Sequence, residues 1–354
     1  MKHIFSLLCI LGSVSTALAQ KSKTAPVITR FYQFTGTIDK YPITFIIHRK
    51  GDDFYGSYYY NVTEEAMELF GVLQHDGSLT LTYNDPENGD LKETFSGRFK
   101  DSSFSGTWTG KGKVLPFGVA KPQNTNGLYF DYVMTSGSKS LPKDQAFGRS
   151  ELTYNAAAVC PTASSTHPAT NLIRERIFEA FGYSPTGGTI GEAMLSEKKE
   201  VLSQSGEIEK YGASTDVCIV YWSKQLLTLS TVSWEDNGGA HGNYTVKYTN
   251  IDLVNNSEIG VVFNECDQLP ALREKKLRAL FNVDNDKKLS EFLLVDTLPV
   301  SNNCIITTKG ISFCYDPYEI AAYAAGQIKL YIPFKEVEGC LTEEFKKLIG
   351  RASK

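Results

Sequence analysis

Residues 94–108 read TFSGRFKDSSFSGTW and hold one phrase twice, Phe95-Ser96-Gly97 and Phe104-Ser105-Gly106, on either side of a polar connection. Side chains of a strand alternate between its two faces, so a glycine two places after an aromatic shares that aromatic's face. A missing side chain there lets a sheet bend, or lets a neighbouring ring cover the gap. The phrase recurs upstream as Phe34-Thr35-Gly36 and Phe54-Tyr55-Gly56, so it predicts a curved sheet rather than a reactive site. Around it, short apolar and aromatic runs bounded by turn residues predict eight strands, at 31–38, 43–48, 54–60, 67–74, 78–83, 91–99, 103–108 and 114–119. Short strands with tight connections imply an antiparallel meander that curls or closes into a barrel, because closure removes the edges that invite aggregation. Tyr58, Tyr59 and Tyr60 either fill the core and rim of such a barrel or line a cavity for a small apolar ligand.

The polar, turn-rich stretch 121–127, KPQNTNG, marks a linker, and beyond it the texture changes. Residues 129–134 and 151–159 have strand character. Residues 168–181 carry a helical pattern with Thr166 as its cap and Gly182 as its stop, and 190–202 carry a second. The runs 217–222, 226–234, 244–248 and 328–332 predict strands. An amphipathic helix is expected at 270–281, with Leu272, Leu277, Leu280 and Phe281 inward, and a terminal helix at 342–349. The expected fold class is mainly β plus α+β: an antiparallel β meander or barrel over 20–120, then an α+β domain over 128–354 with helices packed on an antiparallel sheet.

Lys2, the apolar run from Ile4 to Leu11 and the exit Ala17-Leu18-Ala19 have the layout of a secretory signal peptide over 1–19, cleaved after Ala19. That run is shorter than the ~20 residues a membrane span needs, and no later stretch approaches the length. The expectation is an exported protein, periplasmic or extracellular, without a membrane span. Loss of Lys2 takes the formal net charge from −4 to −5. An acidic balance argues against nucleic acid as a partner, since a phosphate-binding face shows as a basic excess.

Once Cys9 leaves with the signal peptide, Cys160, Cys218, Cys266, Cys304, Cys314 and Cys340 remain. An even count in an exported chain predicts disulfides, and the lack of a C-x-x-C pair points away from a redox or zinc site. One pairing is suggested locally. If Thr308-Lys309-Gly310 is a three-residue hairpin loop, Cys304 faces Cys314 across it. No cofactor or metal centre is expected.

Residues 234–244, WEDNGGAHGNY, set His241 among Gly238, Gly239 and Gly242. Asn237-Gly238 between β-branched runs is a strong hairpin signal. His241 admits three readings. As a catalytic base it would need Asp236 to fix its tautomer and a nucleophile or water to act on. The chain holds no G-x-S-x-G or H-E-x-x-H motif, and His48, His75 and His167 show no metal-ligand spacing with it. As a recognition element, the glycine-rich turn offers backbone N–H groups in a concave nest that can hold a carboxylate, with Asn237 and Tyr244 beside it. As architecture, the glycines permit φ > 0 while His241 tucks inward onto a buried carbonyl. Trp222 and Trp234 sit on strand runs and read as core rather than as sugar platforms.

Gly238-Gly239-Ala240-His241-Gly242 with Tyr244 and Asn250-Ile251-Asp252-Leu253, followed by FCYDPYEIAAYAAG at 313–326 and IKLYIPF at 328–334, resemble the motifs of one family in their order. It is the uncharacterised extracellular domain that forms the sensor part of lysozyme-responsive anti-sigma factors and precedes the catalytic domain of some peptidoglycan deacetylases. The likeness covers roughly 210–354, and 151–183 looks like the companion domain that often precedes it. The resemblance implies an α+β fold and, for some members, binding of lysozyme. It adds Tyr318 and Glu319 to the candidate binding residues, although Glu319 also suits a cap for the alanine-rich segment or a bond to Tyr323. Nothing here matches the transmembrane helix, sigma-binding segment or deacetylase domain of those proteins, so only recognition is carried over. The function expected is that of an exported, non-catalytic binding protein for a protein, such as a lysozyme-like one, or a cell-wall component. The alternatives are a cell-envelope hydrolase centred on His241 and Asp236, and a binder of small apolar ligands in the β domain.

Overall fold

Eight strands open the chain in the computed structural model: β1 (Thr29–Ile38), β2 (Tyr41–Lys50), β3 (Asp53–Tyr60), β4 (Met67–Leu73), β5 (Ser78–Asn84), β6 (Leu91–Lys100), β7 (Ser103–Gly110) and β8 (Lys113–Ala120). They match the eight expected runs, and β1 pairs with β8 to close an antiparallel barrel. The structure describes residues 28–84, 90–142, 148–182, 188–205 and 208–351, so the expected signal peptide lies outside the described residues.

The repeated phrase folds onto itself. Gly97 of β6 stands opposite Gly106 of β7, between the pairs Phe95 with Trp108 and Phe99 with Phe104. A Cβ on Gly106 would lie 2.1 Å from the Ser96 carbonyl oxygen and 2.5 Å from the Gly97 Cα. Curvature is therefore the right reading, but what fills the space is the backbone of the adjacent strand rather than a ring.

Inside the barrel, Tyr32, Phe34, Phe45, Phe54, Phe95 and Phe104 are each at most 2% exposed. Phe45 and Phe95 meet edge to face at 5.0 Å, and Phe104 and Phe117 do so at 4.8 Å, a geometry that suits the ring quadrupoles. Tyr58 belongs to this core and Tyr60 packs against it, while Tyr59, between them in β3, is buried on the opposite face of the strand. Buried side chains from all eight strands form one hydrophobic cluster inside the barrel. One carboxylate lies among these rings. Glu93 is buried and accepts hydrogen bonds from the Tyr58 hydroxyl and, at 3.0 Å, from Trp108 Nε1. A buried carboxylate demands such donors. Burial first, and the Glu93 bond second, raise the Tyr58 hydroxyl far above the ordinary tyrosine pKa.

Contacts divide the chain into two compact units. One runs to Pro122 and includes Arg278–Thr297 and Pro317–Ile328; the other comprises Gln123–Leu277, Leu298–Asp316 and Lys329–Lys354. The second contains a six-stranded sheet in the order β14-β13-β12-β11-β10-β9. Its strands are β9 (Phe130–Ser140), β10 (Glu151–Pro161), β11 (Gly212–Trp222), β12 (Leu226–Asp236), β13 (Asn243–Asp252) and β14 (Ser257–Glu258). Neighbours are antiparallel except β10 and β11, which run parallel. That exception corrects the expected antiparallel sheet, and its cause is the connection. Helices α1 (Thr170–Ala180) and α2 (Ile190–Ser203) lie between those strands, and a parallel pair needs such a crossover.

Helix α1 buries Ile173 and Ile177 and stops before Gly182, whose φ is +72°. Thr166 does not cap it. The cap position is Ala169, whose methyl side chain offers no acceptor; beside it the Thr170 hydroxyl donates to the His167 carbonyl and His167 Nδ1 accepts from the Ala169 N–H. Helix α2 begins on a capping box of Thr189 and Glu192, which satisfies two end donors reciprocally.

Helix α3 (Gln268–Leu280) buries Leu277 and also Arg273, while Leu272 stays half-buried. Apolar periodicity could not place Arg273 inside. Its Nη1 donates to the Pro299 carbonyl at 3.0 Å and the Tyr315 hydroxyl at 3.2 Å, and its guanidinium lies 5.2 Å from the Phe313 ring centre. Those contacts replace part of the water a buried cation gives up, while Nε is buried without a hydrogen-bond partner.

A smaller sheet holds β15 (Cys304–Ile306), β16 (Gly310–Tyr315) and β17 (Ile328–Pro333), and α4 (Glu343–Leu348) starts on a Thr342 cap. Cys304 pairs with Phe313, not with Cys314. The Thr307 N–H donates to the Gly310 carbonyl at 3.0 Å, so the loop is Thr308-Lys309 alone. One residue fewer in the loop shifts the register by one and turns Cys314 to the opposite face. The expected Cys304–Cys314 bridge is therefore corrected: the disulfide joins Cys266 to Cys340, while Cys160, Cys218, Cys304 and Cys314 are thiols.

Side chains of the β15–β16 region complete the sheet at β13. Asp316 Oδ2 accepts from the Val246 N–H at 3.0 Å, Asn303 Oδ1 from the Tyr248 N–H at 2.9 Å, and Asn250 Nδ2 donates to the Cys304 carbonyl at 2.8 Å. The first two satisfy backbone N–H groups of β13 that would otherwise be offered to another chain, and the third, from a β13 side chain, ties β15 to them. No described helix is long and apolar enough to cross a membrane.

Candidate functional site

Strands β12 and β13 end their pairing at Trp234 with Tyr244 and Glu235 with Asn243, so residues 237–242 are the tip of the expected hairpin. The tip is braced from outside its own strands. Arg149, just before β10, donates through Nε and Nη2 to the two carboxylate oxygens of Asp236, each at 2.6 Å. The same Nη2 donates to the Gly239 carbonyl at 2.9 Å, and the guanidinium lies 5.0 Å from the Tyr211 ring centre. Tyr211 in turn donates its N–H to the Asp236 carbonyl at 2.7 Å. A planar fork suits this double task, which lysine could not perform.

Two glycines are obligatory here. Gly238 has φ +85° and sits against Tyr211, and a Cβ on Gly242 would lie 2.5 Å from the Trp234 ring. Gly238 also donates its N–H to Asp236 Oδ1 at 3.0 Å. The anion held by this part of the expected nest is thus the chain's own Asp236.

His241 is exposed, and its Nδ1 lies 2.8 Å from the Gly242 carbonyl, to which it donates. It does not tuck into the core, as the architectural reading supposed. The Asp236 carboxylate accepts from Arg149 and from the Gly238 N–H. Asn237, Gly238 and Gly239 are exposed beside His241, while Gly242 and Tyr244 are half-buried. Tyr318 and Glu319 belong to the other unit and are exposed. Tyr318 has φ +70°, unusual for so bulky a residue, and its ring lies 5.7 Å from that of Tyr323. Trp222 is buried and Trp234 half-buried.

Arg149 and Tyr211 are the residues that sequence reasoning missed. Arg149 lies 87 residues from Asp236, and no periodicity links them.

The hydrogen bond from Arg149, ahead of that from Gly238, holds the Asp236 carboxyl below the usual carboxylate range, while partial burial opposes it. A depressed folded pKa means that the stabilisation is present at neutral pH and lost on acidification. It is complete above about pH 5 and disappears as the pH falls through the lowered folded value. Arg149→Ala is expected to cost about 1.5–3 kcal/mol, the range for hydrogen bonds to charged groups. Protection of the amides at residues 237–242, expressed relative to intrinsic exchange at the same pH, should fall in this variant at pH 7, as it should in the wild type at low pH. Unchanged exchange in the variant would show that the clamp does not hold the tip.

Residues 255–335 match the model of a family described as "Protein of unknown function (DUF3298)". No curated protein matches the chain. A solved structure of a DUF3298 family member from Bacteroides fragilis is similar over 65% of this chain and 98% of its own, with 22% identity and a TM-score of 0.53. One of a DUF3298 family protein from Pseudomonas aeruginosa aligns over 62% of this chain and 96% of its own, with 16% identity and a TM-score of 0.47. Tyr318 and Glu319 fall inside the matched residues, and the hairpin tip falls outside them. Residues 255–335 are thus similar to a domain of the DUF3298 family, and much of the chain is similar in fold to a solved member of it.

Proposed function

We propose that the protein is an exported, non-catalytic binding protein whose β12–β13 tip recognises a protein or a cell-wall component. In this reading residues 20–120 form one domain, and 128–354 form the domain that carries the tip. The observation that supports it is the Arg149 clamp. An exposed glycine-rich loop is ordinarily mobile, and ordering it on binding would cost affinity. Here a bidentate ion pair, a stacked tyrosine and a covering tryptophan hold the loop in one shape before any partner arrives. His241 is the side chain this arrangement presents. The leader-like N-terminus and the Cys266–Cys340 disulfide support export.

The family resemblance supplies the first probes, lysozyme and soluble muropeptides. Titration calorimetry of the full chain is expected to detect binding to one of them. His241→Ala should weaken it at least about tenfold, as for a central contact residue. Binding of neither probe, or equal binding by the variant, would remove this reading.

A further inference from the structure

Away from their tip, β12 and β13 carry a groove with a chemistry of its own. Thr231 lies opposite Lys247, Ser233 opposite Thr245 and Leu229 opposite Thr249. Residues two apart share a face, so Lys247 stands among four hydroxyls: one directly across, two along its own strand and one on the diagonal. Helix α1 walls one side through Arg176, which bridges Glu179 and, at 2.5 Å, Glu258 of β14. The groove has a volume of about 250 Å³ and runs into a depression of about 280 Å³ that shares Arg176, Glu179, Lys247 and Thr249.

An antiparallel sheet face turned to water needs no such enclosure. In this groove the charges are sorted. Arg176 is held by two carboxylates, whereas Lys247 makes no ion pair among the described residues. A ligand would therefore meet a cation and hydroxyl donors at the centre, and carboxylate acceptors at the rim. The lining around Lys247 is polar, with Ile259, Val262 and Ile306 confined to the adjoining depression, and the rim carboxylates repel a multiply charged inorganic anion. A pocket smaller than the usual 300–1,000 Å³ or so suits a ligand below drug size. We propose that the groove binds a small polyhydroxylated carboxylic acid, the chemistry of one acidic saccharide unit. The carboxylate sits on Lys247 and the threonine hydroxyls, and ring hydroxyls donate to Glu179 and Glu258. The site stands apart from the hairpin tip and does not depend on it.

D-glucuronate is the probe, titrated into the full chain and followed by NMR, with glucose and acetate as controls. Saturable millimolar binding of glucuronate is expected, at least about tenfold tighter than that of either control, the factor one lost charged contact produces. Lys247→Ala and Lys247→Gln, at an exposed position, should lose that advantage, Lys247→Arg should keep most of it, and His241→Ala should leave it intact. Absence of saturable binding, acetate binding as tightly as glucuronate, or an unchanged Lys247→Ala would each overturn the proposal. Loss of binding in His241→Ala would overturn the independence of the two sites.

Discussion

Gly106→Val is expected to destabilise the barrel by at least about 4 kcal/mol, beyond the usual range for a point substitution. Its first side-chain atom alone would lie 2.1 Å from the Ser96 carbonyl oxygen and 2.5 Å from the Gly97 Cα. Overpacking commonly costs about 1–3 kcal/mol where flexible side chains give way. Here the obstacle is backbone on both counts. Relief requires β6 and β7 to separate, and in a closed barrel that strains the neighbouring pairs as well. Trp108, nearly buried beside the glycine pair, reports the change by fluorescence during urea unfolding. Ser105→Val, on the exposed face of the same strand, should stay within about 0.5 kcal/mol of wild type. Equal midpoints for the two variants would mean that the glycine pair does not set the approach of the strands.

The same pair explains why this half of the fold was legible. Alternation and turn residues are local signals, and the aromatic-x-glycine phrase marks positions that share a face, so eight strands and their curvature follow from near neighbours in sequence. The hairpin at 237–242 was legible for the same reason. What escaped was set by partners distant in the chain. Arg149 meets Asp236 across 87 positions, and its role depends on a sheet order that brings β10 beside β11 and β11 beside β12. Arg273 is charged and buried because a carbonyl, a hydroxyl and a ring happen to surround it. The Cys304 error came from one residue of loop length. In a structure with a side-chain period of two, that is enough to reverse a face.

Replacing Cys266 and Cys340 together by serine is the other change expected to have a large effect, a loss of about 4 kcal/mol. The bond closes a sequence separation of 74 residues, and the chain-entropy model assigns about that much to a loop of this size. Most of the loss arises in the unfolded chain. The folded segments stay joined without the bond: Asn264 N–H donates to the Cys340 carbonyl at 2.8 Å, Thr342 N–H donates to the Val262 carbonyl at 3.0 Å, and Phe263 bridges to Leu341. The double variant should therefore keep the wild-type circular dichroism while unfolding at a lower urea concentration. Reductant should bring the wild type to the same midpoint and leave the variant unmoved. Cys304→Ser tests the rejected pairing and should cost far less. Burial raises the Cys304 thiol to about 11 and, against the opposing charge of Lys329, the Cys314 thiol to about 12. Both stay protonated at neutral pH, and a protonated thiol does not attack a disulfide. A loss in Cys304→Ser equal to that of the double variant, together with sensitivity of the double variant to reductant, would restore the Cys304–Cys314 bridge and refute the Cys266–Cys340 one.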